Sequence, residues 1–307
     1  LFSGHYSTRY MLEQKNVDTF WTKELLDHGY RDFILNIFGT DYNGISLDAF
    51  KRYIPRSYQD MGRYTFVDGD HSSRRKLNKL RERMRAEIKR DNKQFFLYMH
   101  LVDTHSPWRT HQDGLHFGDS ERERYDHNIA YSDQITGELF AEMKSLGIWD
   151  QALVMVVADH GTGLNDHGIY AGFRPYQEQI KIPFLVKLPN HQGRGKVITE
   201  PVSLIDIGPT ITNLFEEDTP NRFDGVSLIP LMTERGAQAT LDRPYLMSLN
   251  AFNDSYAAIE NGRWKWILYR RERYLQLFDL YRDPQELNNL SDLESYQDRI
   301  HQFKDLM

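Results

Sequence analysis

Asp159-His160-Gly161 closes the run Leu153-Val154-Met155-Val156-Val157-Ala158, in which apolar residues stop abruptly at an acid, an imidazole and a glycine. Such a run suits a strand buried on both faces of a parallel sheet. In open α/β sheets, ligands bind beyond the carboxyl ends of the strands. Asp159 and His160 would then offer an oxygen and a nitrogen ligand to one divalent cation. The same residues also fit a helix N-cap aspartate with an incidental histidine. A second apolar run, Phe95 to Leu101, leads into Asp103-Thr104-His105-Ser106-Pro107-Trp108, which puts His105 just past a strand end, before a proline that cannot continue a ladder. His167 sits in Asp166-His167-Gly168, within a glycine-rich loop from Gly161 to Gly172. His100, inside its strand, reads as a satisfied core residue.

The chain that must position these groups has 307 residues, 40% of them hydrophobic, enough for one large domain or two smaller ones. A net charge of -6 gives no general nucleic-acid signal, and no nucleic-acid partner is expected. The locally basic stretch from Arg74 to Lys93 has the spacing of a solvated amphipathic helix rather than a polyanion site. No apolar run reaches membrane-spanning length and no signal peptide is visible. The absence of cysteine excludes disulfides and thiol chemistry within this chain.

Along the chain, Thr19 to His28 has a helical pattern stopped by Gly29, and Arg31 to Asn36 reads as a short strand. Thr40 to Ser73 is polar, aromatic and irregular, a long surface excursion. A helix over Arg74 to Lys89 precedes the strand that ends at His105. Tyr125 to Leu146 is a long helix with Ile129, Ile135, Leu139 and Met143 on one side and Gly147 as its stop. Ile180 to Pro189 supplies another strand, and Val202 to Thr210 leads into a helix reaching Leu214. Sustained helix and strand alternation predicts an α/β fold, a mainly parallel sheet sandwiched by helices, over residues 1–240. Residues 241–307 read as a small C-terminal antiparallel subdomain. Asn261-Gly262 is its hairpin turn, Leu275 to Leu280 a third strand and Asn288 to Leu306 a final helix.

Read in order, these motifs resemble the sulfatase family of the alkaline phosphatase superfamily, over nearly the whole chain. They are His105 after its strand, Asp159-His160-Gly161, Ile182-Pro183, Asp206-Ile207-Gly208-Pro209-Thr210, Asp224-Gly225-Val226-Ser227-Leu228 and Leu277-Phe278-Asp279-Leu280-Tyr281-Arg282-Asp283-Pro284-Gln285-Glu286-Leu287-Asn288-Asn289-Leu290. The resemblance implies that Asp159 and His160 are metal ligands and that His105 is a catalytic contact to the sulfate or phosphate oxygens. His167, Asn36 and Arg174 become substrate-binding candidates, His167 with a loop-stabilising hydrogen bond as its equal alternative and Arg174 as a replacement for a family lysine whose position aligns with Gly172. Asn36-Ile37-Phe38-Gly39 aligns where arylsulfatases carry Gly-Lys-Trp-His, so that lysine and histidine are absent.

Leu1-Phe2-Ser3-Gly4 looks like the tail of the family's nucleophile motif, so the nucleophile and an acidic metal-binding pair are expected upstream of Leu1, and these residues alone are expected to be inactive. The implied function is metal-dependent hydrolysis of sulfuric or phosphoric esters with one divalent cation, Ca2+ first, with Mg2+, Mn2+ or Zn2+ compatible with the ligand types. Two other readings accompany it: a phosphoethanolamine or phosphoglycol transferase with a membrane anchor in the upstream segment, and a non-catalytic pseudoenzyme. Family habit favours an extracytoplasmic location, and nothing in the sequence specifies an oligomer.

Overall fold

The computed structural model describes residues 32–36, 63–67, 73–90, 94–170, 174–215, 223–233, 241, 243–250 and 254–306. The expected helix at Thr19 to His28 lies outside them. Strand β1 (Asp32–Asn36) is central between β2 (Arg63–Val67) and β3 (Phe95–Met99), and it pairs in parallel with both. The strand β2 corrects the reading of Thr40 to Ser73 as wholly irregular. Its five residues gain strand structure from the ladder with β1, which local pattern does not announce.

Helix α1 (Ser73–Lys89) carries Leu77, Leu80 and Met84 at helical spacing, all fully buried against Tyr131, Ile135 and Leu139 of α2 (Glu121–Ser145). Phe95, Leu97 and Met99 of β3 complete that cluster. The arginines of α1 spread over the acids of α2: Arg85 clasps Glu142 at 2.7 and 2.9 Å, and Arg74 and Arg81 both reach Glu138. The basic stretch is therefore an inter-helix seam. Helix α2 begins four residues before the expected Tyr125 because Ser120 and Glu123 form a capping box. Its buried face runs through Asn128, Tyr131, Ile135, Leu139 and Glu142, and Ile129, expected in the core, is 44% exposed. Residue 129 lies about 100° around the helix from 128, off that face.

Strand β4 (Val154–Val157) ends at the Asp159-His160-Gly161 motif. It pairs antiparallel with β5 (Phe184–Lys187) and is only half-buried, unlike the parallel, doubly covered strand expected from its composition. An apolar run reports burial, not strand direction. Between the two lies the single-turn helix α3 (Gln177–Ile180). Helices α4 (Ile207–Leu214) and α5 (Ile229–Met232) follow, and Leu188, Leu228, Leu231 and Met232 form the core beside β5.

The C-terminal sheet has four antiparallel strands in sequence order: β6 (Tyr245–Asn250), β7 (Ser255–Glu260), β8 (Trp264–Tyr269) and β9 (Tyr274–Asp279). Its first strand was not read from the sequence. The turn between β7 and β8 has φ of 49° at Asn261 and 69° at Gly262, the left-handed pair that this dipeptide favours. One face of the sheet packs Ala257, Ile267, Phe278 and Leu280 on Tyr176 with Ile169 and Ile180. The other packs Trp266 and Leu277 on Ile300 and Phe303 of α6 (Gln297–Leu306). Helix α6 is shorter than expected. The Asn289 side chain accepts N–H groups from Leu277 (3.0 Å) and Ser291 (3.1 Å), holding the backbone before it in turns.

Candidate metal and anion site

Past the end of β4 the chain turns sharply, and its backbone fixes two exposed ligand-type side chains. The His160 N–H donates to the Asp159 carboxylate at 2.9 Å, and His160 Nδ1 lies 2.6 Å from the Gly161 carbonyl. A carbonyl can only accept, so Nδ1 carries a proton, and in the neutral ring it is Nε2 that keeps the lone pair a metal needs. That Nε2 faces the Asp159 carboxylate at 3.8 Å, with the two side chains 58% and 67% exposed. An imidazole nitrogen close to a carboxylate, with the other imidazole nitrogen tied to a carbonyl, fits a divalent cation. The pair supplies two ligands. Among the described residues no group of three or more ligand-type side chains converges.

Gly161 is required by close approach. A Cβ there would run into the Glu178 carbonyl oxygen, and the Gly161 N–H donates to Gln179 O at 2.7 Å. The motif is thereby pinned to α3.

The end of β3 supplies the neighbours. Tyr98 and His100 share a strand face by period two, and both feel the Asp159 charge. Burial, with Asp159 adding to it, pushes the Tyr98 hydroxyl up to about 12. Burial lowers His100, Lys76 and His105 lower it further, and Asp159 opposes them. His100, read from the sequence as a core residue, thus lies within electrostatic reach of both the Asp159 carboxylate and His105. Its alternation with Tyr98 was the available signal.

His105 is exposed, and its Nδ1 donates to the Ser106 carbonyl at 2.6 Å. Its loop is held from α1. The buried Lys76 ammonium donates to His100 O at 3.0 Å, the Ser73 hydroxyl donates to buried Asp103, and Trp108 Nε1 donates to Thr104 O at 3.0 Å. Neither Ser73 nor Lys76 was singled out in the sequence.

The other candidates go elsewhere. His167 stacks on Tyr176 with ring centroids 3.9 Å apart, and its Nδ1 and Nε2 face the Glu178 carboxylate (2.9 Å) and the Glu286 carbonyl (3.2 Å). Both nitrogens thus face partners in a clamp between the loop and the C-terminal segment, the arrangement of the loop-stabilising alternative. The Arg174 guanidinium lies 5.4 Å from the centre of the Tyr269 ring in the C-terminal sheet. Asn36 is the last residue of β1, at the same end of the parallel sheet as Met99. Leu1 to Gly4, Ile37 to Gly39 and Gly172 lie outside the described residues.

The remaining motifs are structural. Asp206, fully buried, accepts both arms of Arg243 at 2.8 Å each and the N–H groups of Ser203 and Val226. Glu286 accepts the Gln177 N–H at 2.5 Å, at the start of α3, and pairs with Lys265 at 2.6 Å, both side chains fully buried. Burial draws Lys265 down to about 8 and pushes Glu286 up, while their attraction opposes both shifts. The C-terminal signature therefore holds α3, and α3 holds Gly161.

Fold and site together define an α/β protein with an exposed acid and imidazole past a strand end, braced by a C-terminal antiparallel sheet. Residues 5–217 match the family model described as Sulfatase, and residues 165–307 match that described as N-sulphoglucosamine sulphohydrolase, C-terminal. The chain belongs to the sulfatase family. It is 29% identical over 186 residues to an arylsulfatase of Clostridium perfringens, covering 59% of this chain and 38% of the relative. It is 34% identical over 178 residues to a choline-sulfatase of Rhizobium meliloti, covering 56% and 33%. The matched stretches thus span little more than a third of these relatives. The phosphonate monoester hydrolase of Agrobacterium radiobacter shares the fold, with a TM-score of 0.72 at 16% identity, over 100% of this chain and 84% of that one.

Proposed function

We propose that the protein hydrolyses sulfuric esters using one divalent cation, with Asp159 and His160 as two of its ligands and His105 as a contact to the anionic oxygens. The observation that carries this reading is the turn past β4, which holds His160 Nδ1 on the Gly161 carbonyl and sets Nε2 3.8 Å from the Asp159 carboxylate. When bound, the cation would polarise the ester oxygen and acidify a nucleophile. His105 would donate a proton or charge to oxygens on which negative charge builds. The carboxylate favours calcium or magnesium, and the imidazole also admits manganese or zinc. The nucleophile is assigned to residues upstream of Leu1, following the resemblance of Leu1-Phe2-Ser3-Gly4 to the tail of that motif.

Phosphoric or phosphonic esters are the second reading. The fold shared with a phosphonate monoester hydrolase brings these esters into the test.

The test uses the complete gene product with 4-nitrophenyl sulfate, 4-nitrophenyl phosphate and a phenylphosphonate ester. Asp159→Ala should remove bound metal, measured by elemental analysis, and abolish turnover. Full metal content with normal turnover would refute the assignment. His105→Ala should lower kcat by about 10²–10³ with thermal stability unchanged. A large loss of stability instead would make His105 a structural residue.

A further inference from the structure

The β4–β5 ladder has a second functional end. Val154 pairs with Lys187, whereas Asp159 lies beyond the opposite end of β4, five residues on. At about 3.3 Å per residue that is roughly 17 Å away. There, a cavity of about 680 Å³ opens between the end of α2, the Trp149-Asp150 turn and the loop from His191 to Lys196.

Its walls carry Lys144, Lys187, Arg194 and Lys196, against a single carboxylate, Asp150. The Asp150 carboxylate is hydrogen-bonded to His191 Nε2 at 2.8 Å. From Gln179 to Thr199 the chain has no acid, although the whole molecule is at -6. This local charge is opposite in sign to the protein's net charge.

The loop that gathers these cations is built rather than loose. His191, Gly193 and Gly195 take left-handed φ of 58°, 64° and 78°. The Arg194 N–H bonds to His191 O and the Lys196 N–H to Gly193 O, at 3.3 and 3.1 Å. Gly193 lies against the Met232 carbonyl, where no Cβ fits.

Lys187 is consumed structurally. Its ammonium donates to the Trp149, Asp150 and Ala152 carbonyls, so it adds field but no spare donor. Lys144 lies 5.0 Å from the centre of the Trp149 ring. Lys196 spends one donor on Thr233 O at 3.2 Å. Arg194 has no side-chain partner among the described residues. Like charges held together with only one acid among them repel one another unless an anion joins them.

We propose that this cavity is a second anion site, distinct from the Asp159–His160 end, which takes a ligand bearing two or more sulfate or phosphate groups. Arg194 and Lys196 are its donors, and Lys144 and Lys187 supply field. The proposal does not depend on the reading of the metal site.

Calorimetric titration of the complete protein at low salt with sucrose octasulfate, tripolyphosphate and plain sucrose tests it. The expected result is saturable one-to-one binding of at least one polyanion and none of sucrose, and the anion that binds identifies sulfate or phosphate as the source. The double variant Arg194→Ala/Lys196→Ala should weaken binding at least tenfold with an unchanged melting temperature. Asp159→Ala should leave it intact. Binding of neither anion, affinity unchanged in the double variant, or loss of binding in Asp159→Ala would each overturn the proposal.

Discussion

His167 shows how one side chain acquires a pH dependence. Acceptors face both ring nitrogens, so the imidazolium is the form that satisfies both. Burial alone would lower its pKa, but the Glu178 carboxylate and the Glu286 carbonyl outweigh burial and raise it above the usual 6.5. The native state then holds a proton that the unfolded chain releases. The stabilisation is complete below about pH 6.5 and is lost as pH rises through the raised native value. His167→Gln should therefore melt below the parent protein at pH 6 and converge with it at alkaline pH. A melting difference that stays constant across that range would remove the ion-pair account. His167 was ambiguous in the sequence because a histidine between glycines fits a pocket or a clamp equally well. Only Glu178 and Glu286, far apart in the chain, decide between them.

Elements rather than single residues set the geometry of the strand end. Helix α3 is one turn long, yet its carbonyls meet Gly161 and its first N–H is held by Glu286. Gly161→Ala would press a methyl group into the Glu178 carbonyl and force either the Asp159-His160 loop or α3 to move. A cost of about 1–3 kcal/mol is expected, read by chemical denaturation, together with weaker metal binding. Unchanged metal affinity would show that α3 does not position the ligands. The strand end itself was legible because an apolar run stopping at Asp159-His160 is an abrupt pattern. The antiparallel pairing of β4 was not, since the partner Phe184–Lys187 follows a loop and a helical turn whose path no local periodicity records. The start of α2 was written in Ser120 and Glu123 all the same.

At the scale of the molecule, the C-terminal sheet is joined to the rest by buried polar pairs as well as by apolar contact. Glu286→Gln would leave Lys265 fully buried without its counter-ion. Breaking a buried pair from one side costs about 3–5 kcal/mol, so a single, cooperative loss of stability is expected in thermal unfolding. If the C-terminal sheet instead melted separately, at an unchanged temperature for the remainder, the coupling through Gln177 would be refuted. The antiparallel character of this region was readable from Asn261-Gly262, but the role of the Asp283-to-Leu290 signature was not. Glu286 and Asn289 reach amides 12 or more positions away, those of Gln177 and Leu277, whereas Asp283 holds the nearby Leu287 and Asn288 amides.

The Glu286 bond to Gln177 also bears on how such proteins can be recombined. A chimera joined near residue 241 would pair a foreign Glu286 segment with a native α3, and its Gly161 loop would inherit a misfitted support. A joint placed ahead of Asn165 carries α3, the His167 clamp and the whole antiparallel sheet as one cassette. In exchanges between relatives, the C-terminal sheet and the loop in front of the candidate metal ligands should therefore travel together.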